Sequence, residues 1–96
     1  MAEIRWTYEA ELWLKDIYEY IALDNPTAAE QVIDGIYNKA QILKDHPELG
    51  HKYEAPEKED VRILLYGHYR ITYVILNNRI DILGVFHGSL DIDRYL

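Results

Sequence analysis

Ninety-six residues with ten Lys and Arg against seventeen Asp and Glu carry a formal charge of −7, the opposite of the basic footprint by which a protein grips nucleic acid through its phosphates. There is no cysteine, which excludes disulfides and thiolate metal sites and suits a reducing compartment. No apolar run approaches the roughly 20 residues that span a bilayer, and the opening MAEIRWTYEAELW lacks the basic-then-apolar layout of a secretion signal, so one domain over residues 1–96 in the cytoplasm, with no membrane partner, is expected.

EIRW at 3–6 alternates polar and apolar residues and predicts a short strand. Thr7 is a candidate N-cap for a helix running to about Leu23, with Glu9 and Glu11 near the positive end of its dipole. Ala10, Trp13, Leu14, Ile17 and Ile21 recur at helical spacing and give this helix one apolar face. Asp24-Asn25-Pro26 interrupts it. Asn25 caps a second helix, with Pro26 at the first position, where a missing N–H costs nothing. Ala29, Val32, Ile33, Ile36, Ala40 and Leu43 form its stripe, which ends before HPELG at 46–50. So short a break predicts an antiparallel helical hairpin.

Residues 51–60, HKYEAPEKED, read as a polar connecting loop. VRILLY at 61–66 predicts a strand, Gly67-His68 a tight turn, and 69–76 and 79–87 two further strands joined at Asn77-Asn78, a dipeptide suited to φ > 0. The whole reads as an α+β fold of order β-α-α-β-β-β, a helical hairpin packed on one face of a small, mostly antiparallel sheet. Charge divides along the chain. Residues 1–60 hold six basic and fourteen acidic side chains, and residues 61–96 hold four arginines and three aspartates.

Strand parity places Ile71, Tyr73 and Ile75 on one face and Arg70, Thr72 and Val74 on the other. With the helices on the Ile71 side, Arg70 is expected on an open face. Arg62, flanked by Val61 and Ile63, is assigned to the same concave surface. The chain contains no phosphate loop, nucleophile elbow or HExxH motif. His46, His51, His68 and His87 are too far apart in sequence to suggest a metal box, so neither metal nor cofactor is expected. His46 and His51 read as loop residues and His68 as an exposed turn residue. His87, before Gly88 at the end of the last strand, suits a general acid or base near neutral pH, and Arg62 and Arg70 suit a phosphate. Against this stands a structural reading, in which His87 terminates its strand by bonding backbone and the arginines pair with Asp91 or Asp93. Trp13, Tyr37 and Tyr73 occupy core-like positions, while Tyr8, Tyr18, Tyr20, Tyr53 and Tyr66 suit a boundary or an interface. Tyr95 is placed either to stack over the sheet rim or to fray with the terminus.

The stretch LWLKDIYEYIALDNPTAAEQVIDGIYNKAQILKDHPELG, followed by VRILLYGHYRITYVILNNRIDILGVFHG, resembles the RelE/ParE superfamily of bacterial toxins from type II toxin–antitoxin systems. The likeness lies in the order and spacing of N-P…A-A, L…P…G, the Arg-bearing strand, G-x-Y-R-I-x-Y and the terminal V-x-H-G, and it covers nearly the full chain. The resemblance implies two mechanisms. RelE-like members cleave messenger RNA in the ribosomal A site with basic residues on the sheet and a tyrosine or histidine near the C-terminus; ParE-like members are associated with poisoning DNA gyrase. Arg70 matches the arginine that holds the transition-state phosphate in the first group, with His87 and Tyr95 as its proton-transfer candidates. The lysines that accompany it fall near Val61 and Ile63 and are absent here. The basic residue usual after His-Gly in either branch falls at Leu90. The acidic charge and Arg62 with YGHYRI look closer to the ParE-like branch. The expectation is a ParE-like, plasmid-stabilisation-type toxin directed at DNA gyrase, neutralised by a cognate antitoxin and without sequence-specific DNA binding of its own. Arg62, Tyr69, Arg70 and His87 are its candidates for contacting target or phosphate. A ribosome-dependent endoribonuclease and a non-toxic antitoxin-binding module are the alternatives.

Overall fold

The computed structural model describes residues 2–53 and 59–88. Strand β1 (Glu3–Trp6) leads into α1 (Tyr8–Ala22) and α2 (Pro26–Gln41), which ends in a 3₁₀ turn (Ile42–Lys44). Strands β2 (His51–Lys52), β3 (Asp60–Tyr66), β4 (Tyr69–Leu76) and β5 (Arg79–His87) follow. The order is β1-β5-β4-β3-β2, with β1 parallel to β5 and every other pair antiparallel. The expected helical hairpin on a mostly antiparallel sheet is therefore present. One correction concerns 51–60: His51 and Lys52 add a fifth strand, pairing with Ile63 and Arg62. Two residues of strand leave too little alternation for a sequence pattern to register.

The helix starts form as their side chains dictate. Thr7 Oγ1 accepts the Ala10 N–H at 3.2 Å and donates to the Ile82 carbonyl at 2.6 Å, so one hydroxyl both caps α1 and ties it to β5. Asn25 Oδ1 accepts the Ala28 N–H at 3.1 Å, with Pro26 in the first turn. The apolar stripes of both helices then meet the sheet. Ala10, Leu14, Ile36, Ala40 and Leu43 pack with Leu64, Ile71, Tyr73, Ile80, Ile82 and Val85 in one core. Gly35 lets α2 lie against β3, because the Tyr66 ring fills the place of any side chain there. Between the helices, the Tyr37 hydroxyl lies 2.9 and 3.0 Å from the two Glu11 carboxylate oxygens. Burial first, and then that carboxylate, push the Tyr37 phenol up to about 12.

Segment 47–50 is closed onto the sheet by two residues. The Tyr73 hydroxyl donates to the Pro47 carbonyl at 2.7 Å and accepts the Gly50 N–H at 2.9 Å. The Arg62 guanidinium donates to the carbonyls of Glu48 and Gly50 and pairs with Asp60 at 3.0 Å. Burial raises the Tyr73 phenol, although the Gly50 N–H and Arg62 pull the other way.

In β5 the pairing with β4 shifts. Thr72 faces Gly84 while Tyr73 faces Ile82, so Leu83 is an extra residue, a β-bulge. Gly84 permits it: a Cβ there would come within 2.7 Å of the Phe86 ring. Of the turn residues, Gly67 and Asn78 take positive φ, +57° and +56°, so of Asn77-Asn78 only the second residue uses the left-handed region.

Replacing Tyr73 by Phe keeps the ring and strands the Gly50 N–H and Pro47 carbonyl, and is expected to cost ~1–3 kcal/mol in urea unfolding. A Tyr73→Phe chain as stable as the parent would show that the hydroxyl does not hold the 47–50 segment. For Tyr37 the folded phenol lies above the unfolded value of 10.0. Its contribution to stability is therefore complete below pH 10 and is lost as pH rises toward 12. Absorbance titration of tyrosinate should show, among the late-ionising phenols Tyr37, Tyr69 and Tyr73, one that moves earlier in Glu11→Gln.

Candidate functional site

Register decides where the candidate residues sit. The two-residue turn at Gly67-His68 pairs Tyr66 with Tyr69, which sets Leu65 opposite Arg70 and Arg62 opposite Tyr73. Directly paired residues share a face, so Arg62 lies on the helix-covered side with Tyr73, and Arg70 lies on the other. The expected shared surface for the two arginines is thereby corrected. Arg62 is largely buried and bonded to Asp60, Glu48 and Gly50, where it closes a loop.

The face opposite the helices also differs from an open, exposed surface. Val61, Ile63, Thr72, Val74 and Phe86 on it are all buried. Ile63 and Phe86 form a second cluster with Tyr53 and Trp13, and the Trp13 ring meets Phe86 edge-on at 4.7 Å. β1 pairs only with Arg79–Ile82, which leaves the outer edge of β5 beyond the bulge for α1. On the same face Asp81, 6% exposed, is held by Arg5 and Arg79 at 2.9 Å each. Arg5 stands opposite it on β1, and Arg79 precedes it on β5. Of the described arginines, Arg5, Arg62 and Arg79 are thus ion-paired, while Arg70 has no acidic partner among the described residues. Asp91 and Asp93, the alternative partners, lie outside the described residues, as does Tyr95.

The bulge governs His87. Beyond Leu83 the pairing sets Tyr69 against His87 and Arg70 against Phe86, so His87 shares the helix-side face with Tyr69 while Arg70 points the other way. At the end of the sheet these residues nonetheless border one hollow of about 450 Å³, with Leu65, Gly67, His68 and Gly88. The Gly88 N–H donates to the His68 carbonyl at 2.7 Å, and the His68 ring lies 6.2 Å from that of His87, nearly parallel to it. Tyr69 meets His87 edge-on at 5.9 Å, and burial raises the Tyr69 phenol. Sequence spacing assigned His68 no role; the hairpin turn brings it beside His87.

A second hollow of about 420 Å³ runs between α1 and the sheet, walled by Trp13, Asp16, Ile17, Tyr20 and Ile21 from the helix and Tyr69, Val85 and His87 from the strands. Tyr69 and His87 therefore wall both hollows. Of its walls, the Tyr20 side chain is 78% exposed. No cluster of three or more metal-ligating side chains occurs among the described residues, and no helix among them is long and apolar enough to cross a membrane.

Comparison with known proteins agrees with this architecture. The family described as "ParE toxin of type II toxin-antitoxin system, parDE" matches residues 4–92. "Toxin RelE2" of Caulobacter vibrioides is 27% identical over 89 residues, 93% of this chain and 98% of that one. A solved structure described as "Chromosomal ParDE TA system from P. aeruginosa" superposes with a TM-score of 0.77 at 22% identity, covering 93% of this chain and 98% of the other, which establishes likeness of fold.

Substituting Asp81 by Asn leaves Arg5 and Arg79 without their shared anion. Both guanidinium groups are partly solvated, so the expected loss is ~1–2 kcal/mol, below the roughly 3–5 of a fully buried pair. Chemical denaturation of Asp81→Asn beside Arg5→Met reads it; equal, negligible losses would mean that solvent already screens the triad.

Proposed function

The chain belongs to the ParE toxin family of type II toxin–antitoxin systems, and on that premise we propose that it is a growth-inhibiting, cytoplasmic toxin of plasmid-stabilisation type that acts on DNA gyrase and is neutralised by a cognate antitoxin. One observation carries the reading of the site: Tyr69 and His87 are common to the hollow at the hairpin end and the groove under α1. An antitoxin segment seated in the groove covers two of the residues that the hairpin end offers to a target. Inhibition then needs no change of shape, only occlusion.

Arg70 supports a role for the hairpin end in target contact. It lacks an acidic partner among the described residues, in a chain with a large excess of carboxylates. A guanidinium without a carboxylate among the described residues has its charge to offer to another molecule. Tyr69, Arg70 and His87 are accordingly the proposed target-contacting residues, and Arg62 is assigned to the fold. The gyrase reading is preferred to ribosomal cleavage of messenger RNA because Val61 and Ile63, where lysines would assist a phosphate, are buried apolar residues. The charge of −7 also disfavours approach to the ribosome's RNA.

Induction of the chain without its antitoxin should halt growth with a DNA-damage response while protein synthesis continues, and Arg70→Ala should relieve the arrest at unchanged protein level. Rapid translation arrest with cleaved messages would transfer the function to an endoribonuclease. Normal growth with a stable antitoxin complex would identify a non-toxic binding module.

A further inference from the structure

The groove beneath α1 has a definite chemistry. Trp13, Tyr20 and Tyr69 present three aromatic side chains around it, Ile17, Ile21 and Val85 supply aliphatic walls, and Asp16 supplies a carboxylate. Asp16 is exposed and has neither an ion pair nor a hydrogen bond among the described residues; the neighbouring Lys15 is directed to Glu19 at 3.9 Å. Helix α1 carries four acids and one base, so the field over the groove is negative.

We propose that this groove takes an arginine side chain of the protein partner. The proposal rests on the reading of the groove as the partner's seat and specifies what the partner brings to it. Charge complementarity selects a cation, because a carboxylate without a counter-ion lies on an acidic helix. The walls select its type. An arginine has an apolar stem to lie along Ile17 and Ile21, and a planar guanidinium that stacks on aromatic rings and pairs side-on with a carboxylate. Lysine, a compact and strongly hydrated point charge, gains less from the rings. The volume of about 420 Å³ leaves space for a flanking apolar residue beside this anchor.

The test uses N-acetyl-arginine amide as the probe, followed by amide and tryptophan-indole NMR shifts of the intact chain. N-acetyl-citrulline amide, the uncharged near-isostere, and N-acetyl-leucine amide are the controls. Saturable millimolar binding of the arginine probe at the α1 groove is expected. About two- to fivefold weaker binding is expected for citrulline and for Asp16→Asn. Equal binding of arginine and citrulline, tighter binding of leucine, or an unchanged affinity in Asp16→Asn would overturn the proposal. Because the probe needs neither gyrase nor antitoxin, that failure is distinct from a failure of the growth assay, which reads the toxin's target.

Discussion

One extra residue in β5, Leu83, sets the geometry of the hairpin end of the sheet. Counted without interruption from the Asn77-Asn78 turn, the pairing would place Tyr69 opposite Phe86 and carry His87 to the face of Arg70. The bulge advances the register by one, and with a side-chain period of two this turns every later residue of the strand over. Val85 enters the main core beneath α1, Phe86 moves to the far face, and His87 comes to border the α1 groove. Gly84 leaves room for the Phe86 ring on that far face, where a Cβ would come within 2.7 Å of it.

Much of this was legible in the sequence, in proportion to how local its cause is. Both N-caps, the helix stripes and the strand spans follow from side chains within a few positions of one another, and they form as read. Alternation within β4 was also sound. What failed was the step between strands. Arg62 and Arg70 each sit between apolar neighbours, yet the Gly67-His68 turn fixes that 62 answers to 73 and 65 to 70, so the two point apart. The turn was recognised, and counting outward from it would have separated them. The bulge had a weaker signal, a glycine inside a strand. The two-residue β2 had none.

The site was legible by residue type more than by arrangement. Tyr69, Arg70 and His87 do gather at one end of the sheet. His68 beside His87 depends on the register of the β4–β5 hairpin, and Asp16 within the aromatic groove depends on how α1 packs over the distant strands β4 and β5. Arg62 illustrates the reverse case: it pairs with Asp60 two positions before it and with the backbone carbonyls of Glu48 and Gly50, a structural duty that its apolar flanks Val61 and Ile63 concealed.

The parallel pairing of β1 with β5 sets an order of events during synthesis. Glu3 and Arg79 are partners, and the Thr7 hydroxyl that caps α1 is held by the carbonyl of Ile82. Strand β1 thus waits for β5, and contacts spanning so much sequence close late in folding. Until β5 has been made and has paired, the chain can hold neither the α1 groove nor the hairpin-end hollow, because His87 walls both of them.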